Sequence, residues 1–479
     1  MSIIPHRRCL GTLVLLLLVI VLMLHPAVFT LTQASIWSQT YGGGYPDAAF
    51  ALIQTSDGGY ALAGTTWSYG AGSDDYWLTK TDSNGRSQWN QTYGGVEPDG
   101  AYALIQTSDG GYALAGWTES YGAGSVDCWL VKTDSNGRSQ WSQTYGGGYP
   151  DVAFALVQTS DGGYALAGTT ESYGAGSADY WLMKTDSNGR SQWNQTYGGV
   201  EYDGIYALIQ TSDGGYALAG TTESYGAGSA DCWLVKTDSN GRSQWSQTYG
   251  GGYPDAAFAL IQTSDGGYAL AGWTESYGAG SVDCWLVKTD SNGRSQWNQT
   301  YGGVEYDGAY ALIQTSDGGY ALAGSTASYG VSPDYLLVKT DRNGISQWSQ
   351  TYGRRHPDAA NALIQTSDGG YALAGWISSY GARFDCWLVK TDKNGINQWN
   401  QTYGGENYDD AQALIQTSDG GYALAGTTES YGAGSADYWL VKTAGLDFPN
   451  ASTTTAGLDF PNASTTTAGL DVPITILWY

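Results

Sequence analysis

Acidic side chains and one histidine are the residues through which this chain could do catalytic chemistry. Beyond residue 34 the sequence holds a single histidine, His356, so a histidine-based triad or a histidine metal site lacks its components. Carboxylate pairs of the kind that hydrolyse glycosidic bonds could come from aspartates such as Asp47 and Asp57. Those aspartates stand in Gly-rich turn sequences, where the side chain bonds nearby backbone. We therefore predict no catalytic residue and no enzymatic activity.

Repetition also argues against catalysis, because an active site is one asymmetric cluster with distinct roles. The repeating tryptophans are Trp37, Trp89, Trp141, Trp193, Trp245, Trp297, Trp348 and Trp399. Their spacing is 52 residues five times and then 51 residues twice, which defines eight units. Only the seventh unit departs clearly, where Arg354-Arg355-His356 replaces a Gly-rich turn.

Each unit contains four strand patterns separated by turn patterns. In the second unit the predicted strands are residues 89–93, 101–107, 112–118 and 128–133. Asp-Gly and Asn-Gly turns separate them, at Asp109-Gly110 and Asn136-Gly137, and both residue types accept left-handed backbone angles. The middle strands are apolar on both sides, as expected of strands buried on both faces. The tryptophan strand is more polar and suits an outer edge.

The ends of the repeat array predict a closed ring. The array begins with a lone tryptophan strand at residues 37–41 and ends with three strands that finish at Thr443. If the first strand completes the last unit, eight four-stranded units form and no strand is left over. The sequence therefore predicts an all-β fold, an eight-bladed β-propeller of four-stranded blades. A seven-bladed propeller and a linear β-solenoid are the alternatives.

The repeat resembles those of secreted β-propeller proteins from prokaryotic cell surfaces. Their pattern is Tyr-Gly-Gly-x-x-x-Asp, then an apolar strand, then Asp-Gly-Gly-Tyr-x-x-x-Gly, matched here at residues 93–99 and 109–116. The last turn also resembles the tryptophan-docking motif of quinoprotein-type eight-bladed propellers, at Asp134, Asn136, Gly137 and Trp141. That resemblance implies a structural docking role for Trp89, Trp141, Trp193, Trp245, Trp297, Trp348 and Trp399. It carries no quinone chemistry with it, because a fold does not determine a function.

Composition and charge exclude several partners. The chain has 70 glycines, 38 tyrosines and 20 tryptophans among 479 residues, which suits many short strands joined by tight turns. The net charge of −25 disfavours nucleic acid and anionic lipid, since both require a basic face. The expected partner is a surface protein or a polysaccharide, bound by a monomer.

The two ends of the chain predict its location. His6, Arg7 and Arg8 precede an uncharged run at residues 10–24, and Ala34 precedes Ser35. This order predicts that residues 1–34 are a secretory signal peptide or an uncleaved membrane anchor, the only membrane contact we expect. Residues 35–443 would form the propeller. Residues 444–479 contain AGLDFPNASTTT twice and read as a Thr-rich stalk. The chain is therefore expected to be secreted or displayed at the cell surface.

Aromatic loop residues are the candidate ligand-binding groups. A Gly-rich loop follows the third strand pattern of each unit and carries one tyrosine, and a tryptophan precedes the loop in three units. The candidates are Tyr69, Tyr121, Tyr173, Tyr225, Tyr277, Tyr329, Tyr380 and Tyr431, with Trp117, Trp273 and Trp376. Such rings could stack on sugars while acidic neighbours bond hydroxyls, or they could instead wedge between blades. Eight equal weak sites would bind by avidity.

The sequence contains three further candidate features. Asparagines in Asn-x-Ser/Thr sequences are candidate N-glycosylation sites: Asn90, Asn194, Asn298, Asn400, Asn450 and Asn462. Cys128, Cys232, Cys284 and Cys386 share one strand position with tyrosines, which predicts free, inert, packed thiols. The Asp134-Ser135-Asn136-Gly137 run could supply calcium ligands but is also a plain turn, so we expect no cofactor and no metal.

Three functions therefore stay open from sequence. The leading hypothesis is a non-enzymatic extracellular propeller that mediates protein interaction or adhesion. The second is a lectin-like propeller with repeated carbohydrate sites. The third is an enzyme, either a glycan-active hydrolase or lyase or a quinoprotein-like enzyme.

Overall fold

Thirty-two β-strands make up the secondary structure of the part of the chain described by this computed structural model. That part comprises residues 36–330, 332–353, 355–379 and 383–444. The strands form eight antiparallel four-stranded sheets, each one blade. Within these ranges no helix is long and apolar enough to cross a membrane. The predicted amino-terminal segment and the Thr-rich stalk lie outside the described residues.

The four strands of a blade are named here by their order. The first strands are β2 (Asp47–Gln54), β6 (Asp99–Gln106), β10 (Asp151–Gln158), β14 (Asp203–Gln210), β18 (Asp255–Gln262), β22 (Asp307–Gln314), β26 (Asp358–Gln365) and β30 (Asp409–Gln416). The second strands are β3 (Tyr60–Thr66), β7 (Tyr112–Thr118), β11 (Tyr164–Thr170), β15 (Tyr216–Thr222), β19 (Tyr268–Thr274), β23 (Tyr320–Thr326), β27 (Tyr371–Ser379) and β31 (Tyr422–Thr428).

The third and fourth strands continue each blade outward. The third strands are β4 (Asp75–Thr81), β8 (Asp127–Thr133), β12 (Asp179–Thr185), β16 (Asp231–Thr237), β20 (Asp283–Thr289), β24 (Asp334–Thr340), β28 (Arg383–Thr391) and β32 (Asp437–Thr443). The fourth strands are β5 (Ser87–Tyr93), β9 (Ser139–Tyr145), β13 (Ser191–Tyr197), β17 (Ser243–Tyr249), β21 (Ser295–Tyr301), β25 (Ser346–Tyr352), β29 (Asn397–Tyr403) and, in the eighth blade, β1 (Trp37–Tyr41).

Ring closure follows the predicted scheme. β1 pairs antiparallel with β32, with Trp37 opposite Lys442 and Tyr41 opposite Tyr438. The first strand of each blade contacts the first strands of its neighbours, and β2 contacts β30, so these strands surround a central axis. The chain is therefore an eight-bladed β-propeller whose last blade combines the two ends of the array.

Three of the four strands predicted for the second unit begin one or two residues earlier than predicted, and one of them also ends a residue earlier. The first strand of the second blade begins at Asp99 rather than residue 101, because Asp99 pairs with Thr118 and its carboxylate accepts a hydrogen bond from the Thr118 hydroxyl. The fourth strand begins at Ser87 rather than residue 89, because Ser87 pairs with Thr81 beyond an irregularity in register. Polar residues that the sequence had assigned to turns thus extend the ladders at the starts of these strands.

The hydrophobic core consists of eight clusters, each between two neighbouring blades. Between the first two blades, Leu78 and Tyr76 of one blade pack against Leu114, Tyr112 and Trp129 of the next. Leu78 and Leu114 are fully buried, and burying each such side chain stabilises the fold by about 1.5–3 kcal/mol. The eighth cluster joins the last blade to the first, so the core is continuous around the ring.

Hydrogen bonds near the axis also join the blades. The amide of Ser56 donates to the side-chain oxygen of Gln106 in the next blade at 2.9 Å. The same bond closes the ring, from the Ser418 amide to Gln54 at 3.0 Å. A glycine at the centre of each second strand permits close packing, since a Cβ at Gly116 would lie 2.0 Å from the Gly100 carbonyl oxygen.

A β-bulge interrupts the pairing of every first strand with its second strand. In the second blade it falls between Ala101 and Ala103, so Tyr102 is the extra, unpaired residue. Because the first strands surround the axis, the bulge places one side chain per blade near it. The residues at this position are Phe50, Tyr102, Phe154, Tyr206, Phe258, Tyr310, Asn361 and Gln412.

The two faces of the ring carry different connections. On the loop face, residues 119–126 join the second and third strands of the second blade, and residues 94–98 enter that blade from the previous one. On the turn face lie tight turns such as 107–111 and 134–138. Trp37 and Thr443 are at the turn face, so the chain enters and leaves the propeller there.

Candidate functional site

The tyrosines predicted to bind ligand lie on the loop face with one ring face available. Tyr121 packs on Trp129, with ring centroids 5.4 Å apart, and its hydroxyl donates to the Gly94 carbonyl at 2.7 Å. The Tyr121 side chain is nevertheless 46% exposed. It therefore tethers one loop to the next while presenting an aromatic surface to solvent.

The same tether recurs around the ring. The hydroxyls of Tyr69, Tyr173, Tyr225, Tyr277, Tyr329 and Tyr431 donate to Gly42, Gly146, Gly198, Gly250, Gly302 and Gly404. These rings are all among the exposed aromatic side chains. Tyr380 lies outside the described residues. Each described ring thus keeps an exposed surface, and Tyr69 and Tyr121 pack against a tryptophan of their own blades; wedging between blades and sugar binding at these rings both stay predictions.

The three candidate tryptophans occupy a second strand and lie closer to the axis than the loop tyrosines do. Trp117 pairs with Cys128 on one side and with Gly100 on the other. A Cβ at Gly100 would meet the Trp117 indole nitrogen at 2.6 Å, so the indole covers the first strand of its own blade. Trp273 and Trp376 stand opposite Ala256 and Ala359 in the same way.

Buried aspartates anchor the loops of this face. Asp99 accepts hydrogen bonds from the Gly95 amide at 2.9 Å and the Ser120 hydroxyl at 2.8 Å. Asp127 accepts from the amides of Ala123 and Gly124, both at 2.9 Å. The Asp47-type residues therefore hold backbone, as predicted, although they begin a strand rather than lie within a turn.

Neighbouring blades bring two of these carboxylates close together. A Cβ at Gly94 would lie 1.7 Å from Asp75 Oδ1 and 2.7 Å from Asp99 Oδ2. This crowding explains the first glycine of each Tyr-Gly-Gly motif. Burial, with the adjacent Asp99 and Asp74 carboxylates, raises the pKa of Asp75 despite the amides that bond it.

A lysine–aspartate network on the turn face was missed by the sequence reasoning. Lys132 Nζ lies 2.8 Å from Asp109 Oδ2, 2.7 Å from the Thr133 carbonyl and 3.1 Å from Gln140 Oε1. The lysine is buried, and the pair recurs in all eight repeats. The signal was present, since each unit has one lysine at the end of its third strand and one Asp-Gly-Gly turn.

The docking tryptophans join each blade to the next. The Trp89 ring lies on Gly137 in the turn of the following blade, where a Cβ would be 2.4 Å from the indole. Trp89 also packs edge-on against Tyr112, with centroids 5.6 Å apart. The turn of residues 134–138 thus receives the tryptophan of the preceding blade, and Trp141 docks on Gly189 in turn. For Trp399 the corresponding turn would fall beyond residue 444, outside the described residues.

Asp134 serves its own turn. Its Oδ1 accepts the amides of Asn136 at 2.8 Å and Arg138 at 2.9 Å. No group of three or more histidine, cysteine or acidic residues in the described ranges is arranged to hold a metal ion. Calcium binding therefore gains no support from this turn.

The four propeller cysteines are free and buried. Burial, with nearby aspartates, raises the pKa of the Cys128 thiol well above its usual value. Tyrosines at the same position in other blades reach further, and the Tyr76 hydroxyl donates to the Trp129 carbonyl of the next blade at 3.0 Å. The position is one of packing between blades.

Four of the predicted glycosylation asparagines lie on exposed outer strands, at Asn90, Asn194, Asn298 and Asn400. Asn298 and Asn400 also accept long hydrogen bonds, both 3.4 Å, from the indoles of Trp285 and Trp387. Asn450 and Asn462 lie outside the described residues. Modification at any of these positions stays a prediction.

The irregular seventh repeat borders a cavity of about 1150 Å³. Arg355, His356, Asp358 and Asp385 line it together with outer-strand residues such as Asn400. Among the described residues of the repeat break, Arg355 and His356 contribute to the lining of this groove.

Comparisons with known proteins give distant likenesses. No protein-family model matches the chain. The Myxobacterial hemagglutinin of Myxococcus xanthus is 27% identical over 214 residues, covering 35% of this chain and 80% of that protein. Regulatory protein FlaEY of Caulobacter vibrioides is 26% identical over 231 residues, covering 42% of this chain. The aligned part is only 24% of FlaEY.

Among solved structures, Sqt1 from Chaetomium thermophilum superposes with a TM-score of 0.52 and 11% identity, over 86% of this chain and 100% of that one. The quinohemoprotein alcohol dehydrogenase ADHIIG from Pseudomonas putida HK5 gives a TM-score of 0.48 and 11% identity, over 89% and 78%. At this identity the likeness to Sqt1 shows the fold alone.

Proposed function

We propose that this chain is a non-enzymatic, secreted or surface-anchored propeller that mediates interaction or adhesion through its loop face. The observation that carries the proposal is the ring of half-exposed tyrosines, held alike in seven described repeats. Rigidly held aromatic side chains contribute large contact areas at little entropic cost. A repeated surface of this kind favours an extended or polymeric partner.

Charge distinguishes the loop face from the turn face. All the glutamates lie on the loop face and are exposed: Glu97, Glu119, Glu171, Glu201, Glu223, Glu275, Glu305, Glu406 and Glu429. On the turn face the Asp57-type carboxylates pair with lysines, and exposed arginines such as Arg86 and Arg138 are added. The loop face is therefore the acidic one, which disfavours nucleic acid and favours neutral or cationic partners.

The two ends of the described propeller lie on the face opposite the tyrosines. Trp37 and Thr443 lie at the turn face, so the segments that precede and follow the propeller join it on the side away from the tyrosines. A signal peptide or anchor at residues 1–34 would deliver the propeller outside the cytoplasm. The loop face would then be presented to other cells, matrix or polymers.

A lectin-like propeller is the second candidate function. The observation in its favour is the similarity to a protein named Myxobacterial hemagglutinin, of which this chain covers 80%. In this version Tyr121 and its equivalents stack on sugar rings, and carboxylates such as Glu119 accept hydrogen bonds from hydroxyls. Weak identical sites around one face would act together on a glycan-covered surface.

The test is binding of the purified full-length chain to erythrocytes and to a glycan array. Replacing the seven described loop tyrosines by alanine should abolish binding, because the exposed ring is lost. The matched variant with phenylalanine keeps the ring and loses only the hydroxyl tether, so it should retain binding. Circular dichroism must show both variants folded.

Two outcomes would count against the proposal. Unchanged binding by the folded alanine variant would remove the loop face as the interaction surface. If the chain binds neither erythrocytes nor any glycan on the array, the lectin-like function is wrong. The same result would rule out adhesion to glycan-covered cells.

A further inference from the structure

The bulge residues of six consecutive blades form an aromatic collar around the axis. Phe50, Tyr102, Phe154, Tyr206, Phe258 and Tyr310 alternate between phenylalanine and tyrosine. Neighbouring rings are in contact: the centroids of Phe50 and Tyr102 are 5.7 Å apart, and those of Tyr206 and Phe258 are 5.1 Å apart. Five of these rings are half-buried, and Tyr310 is buried.

The collar is interrupted in the last two blades. Asn361 and Gln412 stand where the other blades have a ring, between Tyr310 of the sixth blade and Phe50 of the first. The Asn361 amide donates to the Ala411 carbonyl of the next blade at a long 3.4 Å. One side of the axis is therefore lined by amides and the rest by aromatic rings.

A buried carboxylate accompanies this gap. Asp410 occupies a position that holds alanine, glycine or valine in the other seven blades, and it is only 4% exposed. It accepts hydrogen bonds from the Tyr408 hydroxyl at 3.0 Å, the Thr427 amide at 3.1 Å and the Gln412 amide. Burial raises the pKa of Asp410 despite these bonds.

The departures from the repeat are in contact with one another. Phe384, which replaces a small residue, packs on Tyr408 with centroids 5.6 Å apart, and Tyr408 bonds Asp410. Asp410 in turn holds Gln412. Independent substitutions in a repeat array would be expected at unrelated positions. Phe384, Asp410 and Gln412 instead lie together, in the half of the axis nearer the loop face.

The fold itself does not require these residues. β2 and β18 both read Asp-Ala-Ala-Phe-Ala-Leu-Ile-Gln and form the same bulge. β26 differs from them only at Asn361, and β30 differs only at Asp410 and Gln412. Ring closure is also made elsewhere, by β1 and by the core between the last and first blades.

We propose that the gap in the collar is a single binding site for one residue of a neutral carbohydrate. Phe50 and Tyr310 border the gap: the Phe50 ring is half-buried, and the Tyr310 ring is buried with its hydroxyl 3.2 Å from that of Tyr306. The amides of Asn361 and Gln412 each carry donors and an acceptor, as hydroxyl groups require. Asp410 fixes the orientation of Gln412 through its hydrogen bond, as a residue behind the ligand-contacting side chains.

Charge excludes the ionic classes of ligand. An anion would approach along the acidic loop face, which repels it. A cation would need a free carboxylate, whereas both oxygens of Asp410 already accept hydrogen bonds. A hydroxyl-rich neutral ring is the chemistry that matches rings and amides together.

The experiment uses the full-length chain and the methyl glycosides of glucose, galactose, mannose and N-acetylglucosamine as probes, with titration calorimetry to give stoichiometry. The variant is N361F/D410A/Q412F, which gives β26 and β30 the sequence of β2. Because two blades already carry that sequence, it should fold with an unchanged or higher thermal midpoint. The control is Phe154→Tyr, which keeps the collar aromatic.

One glycoside is expected to bind with one site per chain and to lose at least tenfold in affinity in the triple variant, with no loss in the control. No binding by any glycoside, or one-site binding that survives the triple variant, would overturn the proposal. Binding at about eight sites per chain, unaffected by the triple variant, would also overturn it while supporting the loop tyrosines. The axial site and the loop-face function can thus fail separately.

Discussion

Lys132 and Asp109 join the third strand of a blade to the turn between its first two strands, with Nζ and Oδ2 2.8 Å apart. The lysine side chain is 4% exposed and the aspartate side chain 54% exposed. Lys132 also donates a hydrogen bond to the Thr133 carbonyl, and Asp109 also accepts one from the Gly111 amide. Eight such pairs surround the turn face, so they respond to pH together.

The first prediction is a loss of stability in acid. Partial burial raises the pKa of Asp109, but hydrogen bonds from Lys132, Thr107 and Gly111 outweigh it and hold that pKa at about 2. A folded-state pKa below the unfolded one stabilises the fold above about pH 4, and this contribution is lost as pH falls toward 2. Each half-exposed pair should contribute roughly 1 kcal/mol or less. Urea unfolding between pH 5 and pH 2 measures the sum.

The control for this prediction replaces the acid and keeps the turn. Asp109→Asn and its equivalents in several repeats should flatten the acid limb in proportion to the number replaced. An acid limb of unchanged steepness in a folded multiple variant would show that other carboxylates cause it.

The second prediction has the opposite sign and concerns Asp334. Burial raises the pKa of this carboxyl to about 6, so it opposes folding once it is ionised in the native state. Below about pH 4 the carboxyl is protonated in both the folded and the unfolded state and does not lower the free energy of unfolding. As pH rises from 4 through 6, ionisation favours the unfolded state and the free energy of unfolding falls. Asp334→Asn should therefore stabilise the protein at pH 7.5, by roughly 1 kcal/mol after discounting for solvent screening, and should change nothing at pH 3.5.

Thermal unfolding of the Asp334→Asn variant at the two pH values separates this effect from packing. A gain at pH 3.5 as large as that at pH 7.5 would refute ionisation as the cause. Asp99→Asn is a useful contrast, because the Asp99 carboxylate accepts hydrogen bonds from the Gly95 amide and the Ser120 hydroxyl. This substitution should lower the free energy of unfolding of the protein.

Much of the fold could be predicted because its determinants are local and repeated. Asp-Gly and Asn-Gly turns marked the strand order, and the unpaired strand at residues 37–41 predicted ring closure, confirmed by the pairing of Trp37 with Lys442. The exact strand ends could not be predicted, because they depend on side chains such as Asp99 bonding across the ladder. Such bonds follow from tertiary register rather than from residue type.

The sites were harder to predict than the fold. The loop tyrosines were found because they repeat, but their tether to Gly94-type carbonyls requires knowing which loops adjoin. Asn361, Asp410 and Gln412 were not predicted, because the candidate sites were chosen from residues that repeat in every unit and these three do not repeat. An alignment of the eight units places Asn361 and Gln412 at a position that is aromatic in the other six units. The sequence does not show that this position lies at the bulge of the first strand, next to the axis.

The third prediction concerns thiol reactivity. Cys128, Cys232, Cys284 and Cys386 are buried between blades, and burial raises the pKa of each thiol. Since the thiolate is the reactive form, a thiol reagent should modify none of them in the native propeller at pH 8 and all four in denaturant. A Cys9→Ser background removes the other cysteine from the measurement. Rapid native labelling at any of the four would contradict the packed position.

The fourth prediction separates docking from backbone strain with two glycines of the second repeat. Gly137 has φ +74° and Gly110 has φ +83°, so alanine is disfavoured at both, at about 1 kcal/mol each. A Cβ at Gly110 meets nothing within 4 Å, whereas one at Gly137 would be 2.4 Å from the Trp89 ring. Gly137→Ala should therefore cost about 2 kcal/mol more in the free energy of unfolding than Gly110→Ala, because it also displaces a packed indole. Urea titration followed by tryptophan fluorescence measures both, and equal losses would mean that Trp89 contributes little to joining the blades.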